Sequence, residues 1–394
     1  MIRAEVLQGV RVMRFESVLE RHERGALGQQ EAAELLGISE RSFRRWRDRL
    51  REEGPVGLND RRIGKPSTRR AAAAEIARML GLYEERYSGF TVKHFHEQLV
   101  KRHGYKLGYT VTRLALHRSG LVKPAPRRSA HRKKRPRRAM VGMMLHQDAS
   151  RFAWIPGDPL QYDLVVTLDD ATSEIYSAFL VEEEGTASTF RGLDEVIVRL
   201  GLFCELYTDR GSHYFYTPKA GEAVSRSIQT QVGRALAQLG IRHIAAYSPE
   251  ARGRSERAFR TLQDRLPKEL ALAGMTTIEA ANRFITEQYL PEHNANFAVA
   301  ATEPASAFVP DRARQAREIL CIQEERRVGN DNTVKWKGLT MQIPATPLRP
   351  HFARATVRVH EYPDGSLAVF HGPHRLADYD SDGVSRDNDA KLAA

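Results

Sequence analysis

The first sixty residues show a helical pattern of hydrophobic and polar positions that a glycine interrupts. The apolar positions recur at helical spacing and are Ala32, Ala33, Leu35 and Leu36, followed by Phe43, Trp46 and Leu50. Gly37 lies between the two groups and suits a tight turn, and Ser39 suits the N-cap of the second helix. The pattern therefore predicts two helices joined as a helix-turn-helix.

The second of these helices is rich in arginine. Five arginines point largely away from the apolar stripe: Arg41, Arg44, Arg45, Arg47 and Arg51. A guanidinium can bind a guanine edge or a phosphate through two parallel hydrogen bonds. We therefore predict that residues 1–60 form a helix-turn-helix DNA-binding domain. A solvated charged helix is the alternative.

Residues 61–122 repeat the helical theme, with predicted helices opening at Phe90 and Tyr109. We predict a second helical DNA-binding domain here, with a purely structural connector as the alternative. Residues 123–140 combine prolines with like charges, which predicts an extended basic linker. We expect its central cations to neutralise DNA phosphates, and these are Arg132, Lys133, Lys134 and Arg135.

From residue 141 the pattern changes to alternating strands and helices. We predict a strand over 141–148, a hairpin over 160–181 and a helix over 186–200. A strand ending at Asp209, a helix over 221–239, a short strand from Ile241 and a long helix after Gly253 follow. This order is typical of an α/β ribonuclease H-like core with a mixed sheet, which we place at residues 141–312.

The C-terminal part returns to strands. Alternation over residues 320–374 and an Asp-Gly turn predict a small β-barrel, and the Asp-rich residues 375–394 are predicted to be a disordered tail. The fold class is thus multidomain, with helix-turn-helix N-terminal modules, a ribonuclease H-like core and a small C-terminal β-barrel.

The composition indicates the partner and the compartment. The 394 residues carry a formal net charge of +12, which predicts an acidic polymer as partner. Only two cysteines occur, which argues against a disulfide framework and fits a reducing cytoplasm. No apolar run reaches the ~18 residues of a membrane helix, so no membrane association is expected.

Three acidic residues in the core region have the context of a shared metal site. Asp148 and Asp209 each end an apolar run, and Glu256 lies at the start of the long helix. Two strand-borne aspartates with a helix-borne glutamate suit a site for two divalent ions that promotes phosphoryl transfer. Carboxylate oxygens are the ligands that Mg²⁺ prefers, so we expect two Mg²⁺ or Mn²⁺ ions per active site.

Other residues compete for roles near this site. Asp163 could replace Asp148, but no second strand would then fit before the turn at 169–173, where Asp169 and Asp170 read as turn residues. Glu250 could replace Glu256 but lies in a loop. Arg254 and Arg257 flank Glu256. They are predicted to contact DNA phosphates, and balancing the carboxylates is the alternative.

Several motifs resemble those of the DDE-type insertion-sequence transposases with an integrase catalytic core, closest to the ISNCY-like group. The most specific motif is Ser-Pro-Glu-Ala-Arg-Gly-Arg-Ser-Glu at 248–256, joined by Leu-Tyr-Thr-Asp at 206–209 and Gln-Asp at 147–148. The resemblance implies that Asp148, Asp209 and Glu256 are the metal-binding triad. The interval from Asp209 to Glu256 is longer than the family's commonest spacing, and residues 215–226 read as the insertion responsible.

The resemblance also implies a function. We expect a transposase that binds terminal inverted repeats, cleaves DNA at the transposon ends and transfers the strands into target DNA. Joining two ends would require a dimer or larger assembly on double-stranded DNA. The alternatives are a transposase-derived DNA-binding regulator without catalysis and a ribonuclease H-like nuclease that acts on RNA hybrids.

Overall fold

The chain divides into two compact units. A computed structural model describes residues 3–60, 71–124, 135–217, 224–225, 228–247, 253–311, 315–346 and 349–386. One unit comprises residues 1–85 with 106–118, and the other comprises 86–105 with 119–394. Within the described residues, no helix is long and apolar enough to cross a membrane.

The first unit contains the predicted helix-turn-helix. Its helices are α1 (Arg3–Glu23), α2 (Gln29–Leu36) and α3 (Glu40–Glu53), followed by a 3₁₀ turn at Gly54–Leu58 and by α4 (Ala73–Arg86). Gly37 takes a left-handed φ of 66° that ends α2, and Ser39 Oγ accepts the Ser42 amide to cap α3. Phe43 is fully buried, whereas Leu35, one of the apolar positions at helical spacing, is exposed.

The two helices predicted for the second helical domain, residues 61–122, fall into different compact units. Helix α5 (Val92–His103) belongs to the larger unit and α6 (Tyr109–Arg118) to the smaller one. Within the larger unit, the α5 side chains His94 and Gln98 each contact the carboxylate of Glu269 at 2.6 Å. All three side chains are buried, so α5 is part of the core unit.

The core is built on a mixed five-stranded sheet of the predicted kind. Its strands are β1 (Leu145–Phe152), β2 (Tyr162–Asp169), β3 (Ile175–Val181), β4 (Glu205–Thr208) and β5 (Arg242–Ala245). The spatial order is β3-β2-β1-β4-β5, with β1 to β3 antiparallel and with β4 parallel to both β1 and β5. Every residue of β2 is buried, because helices cover both faces of the sheet.

Different helices cover the two faces. On one face lie α7 (Thr186–Leu200) and α8 (Gln231–Gln238). On the other lie α9 (Ser255–Leu272) and a continuous helix made of α10 (Ile278–Phe284), a π-helical turn (Ile285–Tyr289) and α11 (Leu290–Phe297). The order of strands and helices therefore confirms the predicted order of the core. Helix α8 is shorter than the helix predicted over 221–239.

The first core strand is displaced from its predicted position. It was predicted over 141–148, but β1 begins at Leu145 and continues to Phe152. Gly142 has a left-handed φ of 77°, and a Cβ there would lie 2.7 Å from the Phe308 ring, so the chain turns before the strand begins. Asp148 consequently lies in the middle of β1.

The C-terminal strands form open sheets, and the predicted closed barrel is wrong for the described residues. After the short α12 (Ala316–Ile319), β6 (Ile322–Arg327), β9 (Thr356–Glu361), β10 (Leu367–His371) and β11 (His374–Tyr379) form one sheet in the order β11-β10-β9-β6. A separate hairpin joins β7 (Thr333–Trp336) to β8 (Leu339–Gln342). Side chains of both sheets share one apolar cluster.

The start of the predicted disordered tail is also ordered. Strand β11 pairs with β10, and Tyr379 is buried, with its hydroxyl donating to the Gln342 carbonyl oxygen at 2.8 Å. Residues 387–394 of that tail lie outside the described residues.

Candidate active site

Asp148 and Asp209 are neighbours in the central sheet. The parallel register pairs Leu145 with Leu206 and His146 with Tyr207. Continued two positions further, this register would bring Asp148 opposite Asp209, which directly follows β4. Adjacent strands are about 4.8 Å apart, so the two carboxylates start from neighbouring backbone positions on one face.

That face is the one covered by α9. Asp148 pairs with Val166 of β2, and Val166 packs in the same apolar cluster as Phe259 and Leu262 of α9. Gln263 of α9 donates to Ser150 Oγ at 2.9 Å, two residues beyond Asp148 on β1. The helix is therefore fastened across the strand that carries Asp148.

Glu256 lies in the first turn of α9 and is exposed, whereas Ser255 before it is buried. Glu256 is seven residues before Gln263, so it lies about two turns nearer the N-terminus of the helix. Among the described residues, no group of three or more His, Cys, Asp or Glu side chains is already arranged to hold a metal ion. The rival Glu250 lies outside the described residues.

Local hydrogen bonds shape both aspartates. Asp148 Oδ1 accepts the Ala149 amide at 3.0 Å, and Asp209 Oδ1 accepts the Gly211 amide at 2.8 Å. A Cβ at Gly211 would lie 3.1 Å from Asp209 Oδ1, so a side chain at that position would crowd the carboxylate.

A buried tyrosine behind these aspartates was not predicted from the sequence. The Tyr214 hydroxyl lies 3.4 Å from Gln147 Oε1 and 3.3 Å from Glu184 Oε1. Burial raises the pKa of Tyr214 well above its usual value, and the charges of Glu184, Asp148 and Asp209 raise it further. Tyr214 is therefore neutral, and its hydroxyl donates to Gln147 and Glu184.

The rival aspartate occupies a different part of the sheet. Asp163 pairs with Arg151, three residues beyond Asp148 along β1, which corresponds to about 10 Å. Its Oδ2 accepts the Glu184 amide at 2.8 Å and lies 3.7 Å from the Arg151 guanidinium. Asp163 thus holds the loop that follows β3.

Asp170 was predicted to be a simple turn residue, but it is the centre of a buried ionic cluster. His146 Nε2 lies 2.8 Å from its Oδ1, and the Arg138 amide donates to Oδ2 at 2.8 Å. The guanidinium groups of Arg135 and Arg254 also bind Oδ1. Burial opposes the charged form, yet the bonds from His146 and Arg138 and the charges of His146 and Arg254 hold the pKa of Asp170 far below its usual value.

This cluster changes the interpretation of two predicted DNA-binding residues. Arg254 is largely buried, and it donates to the Arg135 carbonyl oxygen at 3.0 Å as well as to Asp170. Both guanidinium groups therefore balance a carboxylate, the alternative role weighed for Arg254. Arg257 is exposed, and Arg132, Lys133 and Lys134 lie outside the described residues.

The arginines of α3 are placed differently. Arg41, Arg44 and Arg45 are exposed. Arg47 and Arg51 form ion pairs with Asp48 and Glu23, each at 3.1 Å. Such surface pairs contribute little to stability, so these side chains can exchange partners.

Comparisons with known proteins bear on both units. A family model described as a helix-turn-helix domain matches residues 16–67. "Putative transposase y4bF" of Sinorhizobium fredii (strain NBRC 101917 / NGR234) is 29% identical over 359 residues, which cover 89% of this chain and 77% of that protein. "Transposase for insertion sequence IS1202" of Streptococcus pneumoniae is 27% identical over 239 residues, which cover 52% of this chain and 51% of that protein.

Solved structures also match. The HTLV-2 integrase catalytic core domain in complex with magnesium (dimeric form) is 17% identical, with 38% of this chain and 90% of that chain covered and a TM-score of 0.29. The simian T-cell lymphotropic virus intasome in complex with PP2A regulatory subunit B56 gamma is 16% identical, with 74% and 91% covered and a TM-score of 0.32. The curated relatives confirm the predicted resemblance: this chain is similar over most of its length to insertion-sequence transposases and carries a helix-turn-helix domain.

Proposed function

We propose that the chain is a metal-dependent DNA transposase of the polynucleotidyl-transferase type. It would bind the terminal inverted repeats of an insertion sequence, cleave DNA at the transposon ends and join the freed ends to target DNA. The observation that carries this proposal is the sheet register, which sets Asp148 opposite Asp209 under the helix that bears Glu256.

The donor set suits a hard divalent cation. Asp148, Asp209 and Glu256 offer only carboxylate oxygens, which are the ligands of Mg²⁺ and Mn²⁺. Two such ions would polarise the attacking oxygen and neutralise charge on the leaving oxygen. The two aspartates lie on rigid strand positions, and Glu256 would complete the set from the first turn of α9.

The surrounding residues would hold the aspartates in place. Gln147, on the opposite side of β1 from Asp148, donates to Thr167 Oγ1 at 3.1 Å and to the Thr189 carbonyl oxygen at 3.2 Å. These bonds tie β1 to β2 and α7. Neutral Tyr214 donates to Gln147 Oε1 and so supports the side chain next to Asp148 without adding charge.

DNA recognition would fall mainly to the first unit. The exposed Arg41, Arg44 and Arg45 of α3 can reach a groove or phosphates, and Arg47 and Arg51 can join them by leaving their surface pairs. Near the active site, Arg257 is the exposed arginine of the first turn of α9. Because two transposon ends must be joined to target DNA, the active form would be a dimer or larger assembly on DNA.

A cleavage assay tests the proposal. The substrates are duplex oligonucleotides copied from the DNA that flanks the reading frame, incubated with the protein and Mg²⁺ or Mn²⁺. We expect Asp148→Asn, Asp209→Asn and Glu256→Gln to abolish cleavage and strand transfer while end binding persists. Asp163→Asn is the matched control and should retain cleavage, because an amide oxygen can still accept the Glu184 amide.

Two rival functions predict different results. A regulator without catalysis would bind these ends and cleave none of them with either metal. A ribonuclease H-like nuclease would prefer an RNA–DNA hybrid to the B-form ends in the same assay. Loss of cleavage in Asp163→Asn, together with retained cleavage in Asp148→Asn, would show that Asp163 and not Asp148 is the first metal ligand.

A further inference from the structure

The start of helix α9 has an unusual anchor. The residue at the N-cap position is Arg254, and no side-chain hydrogen bond caps the helix there. Ser, Thr, Asp and Asn are the residues preferred at this position, because their side-chain oxygen can accept an amide of the first turn. Here Arg254 extends away from the helix to Asp170, at the turn between β2 and β3. The ion pair between Arg254 and Asp170 therefore connects the start of α9 to the turn between β2 and β3.

Asp170 holds this anchor together electrostatically. Its Oδ1 receives Arg254, Arg135 and His146, and the side chain is fully buried. Without the carboxylate, the largely buried guanidinium of Arg254 would lie next to the half-exposed guanidinium of Arg135, and the two like charges would repel each other. Replacing Asp170 by a neutral residue would thus push Arg254, and the helix start with it, away from β1.

The anchor is close to the proposed metal ligands along two elements. His146 precedes Asp148 by two residues on β1, so both side chains lie on the face covered by α9. Arg254 precedes Glu256 by two residues at the start of that helix. Asp170 therefore connects the strand that bears the first aspartate to the turn that bears the glutamate.

We propose that Asp170 is a positioning residue that holds Glu256 in place relative to Asp148 and Asp209. This inference rests on the proposed function, since it assigns Asp170 a role in assembling that metal site. Arg135 extends the connection to the end of the basic linker, so the linker and the catalytic helix share one carboxylate.

The chain offers a matched control in Glu205 on β4. Glu205 also binds two arginines, Arg138 at 2.5 Å and Arg242, and it is largely buried. The described contacts of Glu205 involve neither α9 nor residues 146–148. Its partner Arg138 touches the Asp170 cluster only through its backbone amide, whereas Glu205 binds the guanidinium of Arg138. Removing the charge of Glu205 leaves two arginine side chains without this carboxylate, both more exposed than Arg254, at a place that should not move Glu256.

The experiment compares Asp170→Asn with Glu205→Gln in the full chain. Mn²⁺ binding is followed by electron paramagnetic resonance of the free ion, and end cleavage is measured against Mg²⁺ concentration. For Asp170→Asn we expect the Mn²⁺ dissociation constant and the half-saturating Mg²⁺ concentration to rise by about tenfold or more. The cleavage rate at saturating Mg²⁺ should largely recover, and end-DNA affinity should not change. Glu205→Gln should keep wild-type metal dependence.

A merely structural role for Asp170 gives a different pattern. The active fraction and the rate at saturating Mg²⁺ would fall while the half-saturating concentration stayed at the wild-type value, and this result would overturn the inference. An equal metal shift in Glu205→Gln would also overturn it. Arg254→Lys serves as a second variant if Asp170→Asn fails to fold. Lysine keeps the charge but lacks the planar fork whose two nitrogens reach Asp170 and the Arg135 carbonyl oxygen separately, so a smaller shift of the same sign is expected. An unshifted Arg254→Lys would count against the inference.

Failure of the proposed function looks different again. In that case the wild-type protein would cleave no ends, and Asp209→Asn would leave Mn²⁺ binding unchanged. If the wild type cleaves, Asp209→Asn abolishes cleavage and Asp170→Asn behaves as wild type, then the function stands and only the positioning role fails.

Discussion

Two groups of arginines in this chain have similar sequence surroundings and opposite physical situations. On α3, Arg41, Arg44 and Arg45 are exposed. In the core unit, Arg254 is mostly buried and, together with Arg135, binds the fully buried Asp170. Both groups come from basic, arginine-rich stretches of sequence.

The difference shows that the number of arginines in a segment predicts its charge but not which groups those side chains bind. An exposed guanidinium on a helix can exchange solvent for DNA at little cost. A guanidinium that balances a buried carboxylate cannot leave without exposing that carboxylate to a large desolvation penalty. Substitutions in the first group should therefore affect binding, and those in the second should affect stability and the geometry of the active site.

The largest expected effect is on stability. Arg254→Met removes one partner of a buried ion cluster and should lower the free energy of unfolding of the core by about 3 kcal/mol. Urea denaturation followed by circular dichroism measures it. The matched control is Arg257→Met on the exposed side of the same turn, which should change stability by less than about 0.5 kcal/mol. Equal losses of unfolding free energy in the two variants would show that the buried and the exposed arginine do not differ in their contribution to stability.

The next effect is a pH dependence that the buried polar groups give to the core. Burial, with help from the charge of Arg265, lowers the pKa of His293 to about 4. The unfolded chain binds a proton at this position below about pH 6.5, whereas the folded chain does not, so stability falls as the pH drops. From pH 7 to pH 5 the loss should be roughly 2 kcal/mol.

Unfolding measured at both pH values tests this, with His293→Gln as the comparison. The variant should show a smaller drop between pH 7 and pH 5 than the wild type. An unchanged drop would mean that His293 does not account for it.

The smallest effects should come from the α3 arginines. Arg44→Ala and Arg45→Ala should each reduce the slope of log affinity against log salt concentration by about one if they contact phosphates. Their unfolding free energies should stay within about 0.5 kcal/mol of wild type. Fluorescence anisotropy with end DNA at several salt concentrations measures the slope. Asp48→Asn, which releases Arg47 from its pair, should not weaken binding.

Much of the fold could be predicted because its signals are local. Gly37 and Ser39 mark the turn and cap of the helix-turn-helix, and the order of strands and helices in the core follows from periodicity and turn residues. The start of β1 could not be placed, since it depends on the left-handed Gly142 packing against Phe308. Strand alternation in the C-terminal part shows which side chains face inward but not whether the sheet closes.

The candidate site could be predicted only in part, because only some of its residues have local sequence signals. Asp148, Asp209 and Glu256 stand out through their local motifs, although their metal-binding role stays a prediction. The role of Asp170 depends on Arg254, 84 positions away, and on Arg135, 35 positions away. The packing of α5 on the core depends on Glu269, 175 positions from His94. No pattern among neighbouring residues indicates contacts between side chains so far apart in the sequence.

The central claim is that Asp148 and Asp209 together hold the catalytic metal. Titration of Mn²⁺ into the wild-type protein and into Asp148→Asn, Asp209→Asn and Asp163→Asn, followed by electron paramagnetic resonance, tests it most directly. We expect Asp148→Asn and Asp209→Asn each to lose Mn²⁺ binding and Asp163→Asn to keep it. Unchanged Mn²⁺ binding in Asp148→Asn, with loss in Asp163→Asn, would contradict the account.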